Sequence, residues 1–219
     1  MVRRSLSLVF GGGAHVFPGG AVDDADRDPA VEARCAGRSD REASVALGLP
    51  HGGLAFWVAA VRECFEEAGY LLAYGSDGAV VRLGEPAVAQ RFAGHRRSIY
   101  DGERRFLDVC VEEDLRLAVD AMGYVSRWIT PEGAPRRFDT RFFVCAAPTE
   151  QTPLHDAAET IAHEWVQPAD ALDRNGRGEL DLMFPTRKSL EWLARERRVD
   201  DVLRAAGRGV MAPAEFHRG

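Results

Sequence analysis

The sequence predicts an α/β domain, and three observations carry that expectation. The run Ala55–Ala68 contains no Gly or Pro and is closed by Gly69, so it reads as a helix ended by a residue suited to a left-handed conformation. Within it Val61, Cys64, Phe65 and Ala68 fall at i, i+3, i+4 and i+7 and form one apolar stripe. Arg136–Ala146 has the alternation of a strand, with Phe138, Thr140, Phe142 and Val144 on one face and Arg137, Asp139, Arg141 and Phe143 on the other. The length of 219 residues, 46% of them hydrophobic, suits one domain, 1–219, with insertions rather than two domains.

The elements follow in order. Met1–Phe10 reads as the end of a strand, with Leu6 and Leu8 alternating. Gly11-Gly12-Gly13 leads into a short strand at Ala14–Phe17 and then Pro18-Gly19-Gly20, where glycine lets backbone N–H groups approach a ligand. Asp23, Asp24, Asp26 and Asp28 precede residues 27–54, a charged, Ala-rich stretch ending in Gly52-Gly53-Leu54 that is expected to be a loop with a short helix at most. After the helix, Tyr70–Tyr74 is a short strand and Gly75–Gly78 a turn. Glu85–Ser98 and Asp101–Met122 read as two helices of a helical insertion over 85–122, the second with Phe106, Val109, Cys110, Leu117 and Met122 on its apolar face. Tyr124–Thr130 is a strand stopped by Pro131, and Thr160–Val166 is another. Pro168 starts a helix, and Phe184-Pro185-Thr186 opens a last one with Thr186 as its N-cap, followed by a loose tail from Gly207.

The chemistry is concentrated on the central helix. Glu63, Glu66 and Glu67 lie at i, i+3 and i+4, opposite the apolar stripe. At ~6 Å and an effective dielectric of ~20, each carboxylate pair costs roughly 3 kcal/mol before screening. Arg62, four residues before Glu66, offsets part of this, and Mg²⁺ or Mn²⁺, which prefer oxygen ligands, would offset more. Acidic helix faces are commonly just solvated; here the arginine, the stripe and the closing glycine all lie in register with the acids.

Arg62-Glu63-Cys64-Phe65-Glu66-Glu67-Ala68-Gly69-Tyr70 resembles the second half of the Nudix box of the Nudix hydrolases, G-x5-E-x7-R-E-U-x-E-E-x-G-U with U bulky and apolar. A continuous box would place its first Glu at Leu54 and its Gly at Gly48. Gly20 followed by five residues reaches Asp26, so the box is read as split: Gly20–Asp26, an insert from Arg27 to Leu54, then Ala55–Tyr70, with Asp in place of Glu at 26. A long insert inside the box is similar to the coenzyme A and acyl-coenzyme A diphosphatase branch. The signature that precedes the box in that branch is matched by Arg4-Ser5, Gly13 and Phe17-Pro18-Gly19-Gly20, with Val2 in place of Thr and Val9 in place of a second Arg.

The resemblance implies a Nudix α/β/α sandwich: a mixed sheet with the box helix and the C-terminal helix on opposite faces. Related enzymes have a strand before the Arg-Ser element, so the start at Met1 implies a missing first strand and an unpaired sheet edge. The implied reaction is metal-dependent hydrolysis of the diphosphate bond of a nucleoside diphosphate linked to another group, with coenzyme A or acyl-coenzyme A foremost. Glu63, Glu66 and Glu67 would hold Mg²⁺ or Mn²⁺ and Arg62 would orient them. Glu66, Glu67 or Glu159 would take the proton; Glu164 is a second candidate on that loop. Arg4, Gly19, Gly20, Arg137 and Arg141 would bind the substrate, with pairing of Arg141 to Asp139 at a sheet surface as the alternative. Arg96-Arg97 and Arg104-Arg105 are further candidates for a phosphate clamp, set against pairing with Glu112, Glu113 and Asp114. The rival substrates are NADH, ADP-ribose, a nucleotide sugar or a dinucleoside polyphosphate. A rival of another class is an inactive Nudix-fold nucleotide-binding regulator.

The resemblance implies a small-molecule nucleoside diphosphate as partner, and composition argues against other classes. A net charge of −6 argues against a nucleic acid polymer, and no run is long and apolar enough for a membrane span. Cys35, Cys64, Cys110 and Cys145 have no C-x-x-C spacing, which points to reduced thiols in a cytoplasmic protein. A homodimer is compatible with the sequence, which does not fix the oligomeric state.

Overall fold

The computed structural model describes residues 1–6, 12–134, 136–152 and 160–208. Its elements run β1 (Val2–Arg4), β2 (His15–Val16), α1 (Pro29–Glu32), α2 (Asp40–Leu47), α3 (Leu54–Ala68), β3 (Ala73–Tyr74), α4 (Pro86–Tyr100), α5 (Phe106–Glu112), β4 (Arg116–Leu117), β5 (Gly123–Ile129), β6 (Asp139–Val144), β7 (Thr160–His163), α6 (Pro168–Gly176), α7 (Phe184–Leu193) and α8 (Val199–Arg208). They fall into two compact units, Met1–Asp120 with Ala147–Trp165, and Ala121–Ala146 with Val166–Gly219.

In the first unit β1 is the middle strand of a three-stranded antiparallel sheet, with β2 on one side and β7 on the other. The edge expected to be open beside the Arg-Ser element is therefore paired. Gly13, at φ 82, lets the chain turn back so that Arg4 and Ala14 pair. Leu6 points to solvent at 71% exposure, so the expected alternation stops there; Leu8 and Val9 lie outside the described residues.

The central helix α3 forms as its pattern requires, except that Cys64, expected on the buried stripe, is only half-buried. Trp57, Val58, Val61, Phe65 and Ala68 are buried, and Gly69 closes it at φ 73. Phe65 meets Phe92 of α4 and Phe106 of α5, both at 6.4 Å between ring centroids, which seats the helical insertion against the box helix. The insertion differs from expectation in its second half. The single helix expected over Asp101–Met122 shrinks to α5, because Gly102 turns at φ 71 before it and Asp114 adopts φ 49 after it. Leu117 then joins β4, which pairs with β3. Phe106, Val109, Cys110, Leu117 and Met122 are all buried, but not as one helical face.

The insert at 27–54 is also more ordered than a loop with a short helix. Ser39 and Glu42 cap each other's backbone groups at the start of α2, and Gly48 ends it at φ 66. α2 then supplies what α3 lacks, because Gly53 at the start of α3 has no side chain to cap it. Asp40 accepts from the amides of Gly52 at 2.9 Å and Leu54 at 3.0 Å. Gly53 crosses α2 so closely that a Cβ there would lie 2.4 Å from the Ser44 backbone nitrogen.

In the second unit β5 and β6 form an antiparallel hairpin, with Trp128 packed edge-on against Phe184 of α7. The start of α7 is corrected: Met183 is the N-cap, Pro185 lies in the first turn, and Thr186 is buried inside the helix at 3% exposure. That helix is not the last. α8 follows, with Val202 and Ala206 buried, and Gly123 leaves room for the Ala206 methyl, which a Cβ would meet at 2.6 Å.

Candidate metal and diphosphate site

The site begins with Arg62, whose guanidinium is 8% exposed and joins both halves of the interrupted box. Nε and Nη2 donate to the two oxygens of Asp26, each at 3.0 Å, and Nη2 also donates to the Ala21 carbonyl at 2.9 Å. Nη1 donates to Glu63 at 2.8 Å and to Glu66 at 3.1 Å. Asp26 itself is 5% exposed and accepts from the Asp23 amide, so the turn after Gly20 is folded around this pair. The Asp at 26 thus fills the arginine's fork in a planar, two-bond geometry. Spacing from Gly20 identified the residue; its contact with Arg62, 36 positions away, was not readable from the sequence.

Charge in this group is unbalanced. Burial opposes the Arg62 charge, but its hydrogen bonds to Asp26 and the charges of Asp26, Glu63 and Glu66 outweigh it and hold the guanidinium protonated. Burial pushes Glu63 up to about 7, with Glu66 and Asp23 adding repulsion that the attraction of Arg62 does not cancel. Glu66 is raised for the same first reason, burial, against the same arginine. One guanidinium is shared among Asp26, Glu63 and Glu66, with Asp23 at 3.5 Å as a fourth neighbour.

The glycine turn completes the arrangement. The Gly19 amide donates to Glu67 at 2.9 Å, and Gly20 lies so close to Glu63 that a Cβ would meet its carboxylate at 2.4 Å. Gly19, Gly20, Arg62, Glu63, Glu66 and Glu67 are therefore brought together. An oxygen-only donor set with surplus negative charge has the chemistry a divalent cation requires, so these residues fit the metal that Nudix hydrolases generally use.

The other candidates are placed as follows. Arg4 has its Nε buried with no hydrogen-bond partner among the described residues. Arg137 is exposed and donates to the Thr130 carbonyl at 3.2 Å. The Arg141 side chain is 3% exposed and lies 3.5 Å from Asp139, which is itself held by Arg127 through two bonds of 2.7 Å. Glu159 lies outside the described residues. The backbone of Glu164 exchanges hydrogen bonds with Met1 at the sheet edge.

Arg104 pairs with Glu112 and Arg105 with Asp108, so these two take the solvated, acid-balanced role. Arg96 does something the sequence did not indicate: its Nε donates to the Glu66 carbonyl at 2.7 Å and its Nη2 to the Glu67 carbonyl at 3.3 Å. Gln151 was also missed; buried at 7%, it bonds both backbone groups of Leu71 and the Val81 carbonyl.

A second carboxylate cluster, His95, Glu112 and Glu113, has ligand atoms within 4.8 Å of one another. No group gathered that closely among the described residues includes Glu63, Glu66 and Glu67. Yet in the second cluster Arg91 and His95 both bond Glu113, and Arg104 bonds Glu112 and His95. Its charge is already met.

This geometry agrees with what the chain is similar to. A solved structure of a NUDIX hydrolase from Alicyclobacillus acidocaldarius superposes with a TM-score of 0.74 at 26% identity, covering 93% of this chain and 86% of that one. The fold is therefore the α/β Nudix fold. Residues 27–191 match the family described as the NUDT19 Nudix domain, and the chain belongs to that family. It is 32% identical to the human acyl-coenzyme A diphosphatase NUDT19 over 204 residues, 79% of this chain and 54% of the relative. It is also 32% identical to the Gallus gallus protein of the same name over 223 residues, 84% of this chain and 57% of the relative. The chain thus spans little more than half the length of these relatives. Among the described residues no helix is long and apolar enough to cross a membrane.

Proposed function

We propose that this chain hydrolyses the diphosphate bond of coenzyme A or an acyl-coenzyme A, with Mg²⁺ or Mn²⁺ held by Glu63, Glu66 and Glu67. The observation that carries this reading is Arg62, which ties Asp26 from the first half of the box to Glu63 and Glu66 from the second. The names of the curated relatives support the substrate class. A bound divalent cation supplies a lowered pKa for water and neutralises charge on the diphosphate.

The protein's residues do the rest. Arg62 fixes the carboxylates of Glu63 and Glu66, and the Gly19 amide fixes Glu67. Gly20 keeps the loop against Glu63 without a side chain between them. Water attacks one phosphorus; Glu66, Glu67 or Glu159 takes its proton; the bond to the bridging oxygen breaks. The products are 3′,5′-ADP and a phosphopantetheine or its acyl form. Arg4, Arg137 and Arg141 are the candidate diphosphate contacts, each a fork that matches phosphate oxygens. Burial pushes Cys35 and Cys110 up to about 12 and Cys145 up to about 11, and free, inert thiols of this kind suit a reducing compartment such as the cytoplasm.

The test is product identification by mass spectrometry after incubation with Mg²⁺ or Mn²⁺ and, separately, coenzyme A, an acyl-coenzyme A, NADH, ADP-ribose and a nucleotide sugar. The expected products are 3′,5′-ADP and phosphopantetheine species. If coenzyme A compounds stay intact while ADP-ribose or NADH is cleaved, the substrate reading is wrong.

A further inference from the structure

Arg96 lies on α4, in the helical insertion, and its guanidinium reaches the end of the box helix. Nε donates to the backbone carbonyl of Glu66 at 2.7 Å and Nη2 to that of Glu67 at 3.3 Å. These carbonyls belong to the last turn of α3, where the helix has run out of amides: Gly69 closes on Phe65, and the Leu71 amide is taken by Gln151. The guanidinium therefore fills two of the open acceptors and places a positive charge at the negative end of the helix. The two residues whose backbone it holds are the two adjacent glutamates of the site.

We propose that Arg96 is a positioning residue for the metal-holding carboxylates, so that the helical insertion is part of what sets metal affinity. The inference rests on the reading of Glu63, Glu66 and Glu67 as the metal site. The backbone of Glu66 and Glu67 is fixed by Arg96 from one side, while the side chains are fixed by Arg62 and the Gly19 amide from the other. Phe92 and His95, on the same helix, are buried, Phe92 against Phe65 and His95 bonded to Glu113 just past α5, and hold α4 in place, so Arg96 works from a rigid support. Loss of the fork leaves the last turn to fray, and fraying moves two ligands at once. Outer residues that orient metal ligands are typically worth about ten- to a hundredfold in affinity.

The test measures Mn²⁺ binding by isothermal titration calorimetry, beside thermal melting with and without Mn²⁺, on the full chain and four variants. Arg96→Ala is expected to weaken Mn²⁺ binding about tenfold or more, and Arg96→Lys, which keeps the charge but loses the two-pronged geometry, to weaken it by less. Gln90→Ala, exposed on the same helix, is expected to bind as the unmodified chain does. Glu67→Gln is expected to lose most binding. If Glu67→Gln loses binding while Arg96→Ala keeps it and only melts earlier, Arg96 is merely structural and the inference is overturned. If Glu67→Gln and Arg96→Ala both bind Mn²⁺ as the unmodified chain does, the metal reading falls and this inference falls with it.

Discussion

Two carboxylate clusters in the first unit meet their charge in different ways. On α4 and α5, Glu113 is bonded by Arg91 and His95, and Glu112 by Arg104. Arg104 can only donate, so its contact with His95 Nδ1 makes that nitrogen an acceptor and leaves Nε2–H to donate to Glu113. Each acid has its own arginine. Around α3, Asp26, Glu63 and Glu66 divide one buried arginine, and Glu67 accepts from the Gly19 amide. Gathering of ligand atoms favours the first cluster, while surplus charge favours the second. For a hard dication that must be attracted and held, surplus charge decides.

The largest expected effect separates the clusters by activity. Glu66→Gln and Glu67→Gln should each lower turnover of the coenzyme A substrate by at least about a hundredfold, since charge stabilisation at such a site is worth several kcal/mol. Glu112→Gln and Glu113→Gln should change it by less than about threefold. Steady-state rates at saturating Mn²⁺ make the comparison. Equal losses in the two pairs would mean that both clusters serve the reaction.

A smaller effect separates them by stability. The side chains of Asp26 and Arg62 are 3% and 8% exposed, so Asp26→Asn leaves a buried guanidinium short of its main partner and should cost about 3 kcal/mol in chemical denaturation. Glu113→Gln, beside an Arg91 that is 50% exposed, should cost below about 1 kcal/mol. A larger loss in the second variant would reverse the ranking of the two clusters.

How much of this was legible depends on sequence distance. The α3 stripe of Val61, Phe65 and Ala68, the three glutamates and the closing Gly69 all lie within two turns, and local periodicity exposed them. Asp26 was found only by counting five residues from Gly20; its bond to Arg62 depends on an insert whose fold no short pattern describes. Part of that insert carried a readable signal that went unused, since Ser39-x-x-Glu42 followed by Gly48 is a helix start and stop. The same holds for α8, where Val199, Val202, Leu203 and Ala206 follow helical spacing. The break in the expected second insertion helix was not readable in this way, because Asp114 takes φ 49 only as the chain enters β4. Nor was the role of Arg96, which pairs with backbone rather than with any side chain that a sequence displays.

The smallest effect is a pH dependence of opposite sign in the two clusters. Glu63 is raised from 4.5 to about 7, mainly by burial. A raised carboxyl binds its proton more tightly when folded, so its contribution to stability is full below the unfolded value of 4.5 and is lost as pH climbs through about 7. Glu113 is the reverse. Burial opposes its charge, but the hydrogen bonds of Arg91 and His95 outweigh that and lower its pKa. Its contribution is present above the unfolded value and is lost as pH falls through the lowered one. Melting temperatures in EDTA should therefore decline between about pH 5 and 8, and Glu63→Gln should flatten that decline. Glu113→Gln should instead flatten the acid limb. An unchanged neutral slope in Glu63→Gln would show that Glu63 does not carry the surplus charge.

The most direct measurement of the central claim is an anomalous difference map from crystals grown or soaked with Mn²⁺. The surplus-charge account predicts a peak among the carboxylates of Glu63, Glu66 and Glu67, beside the Gly19–Gly20 turn. A peak at His95 and Glu113 with none at α3 would contradict it.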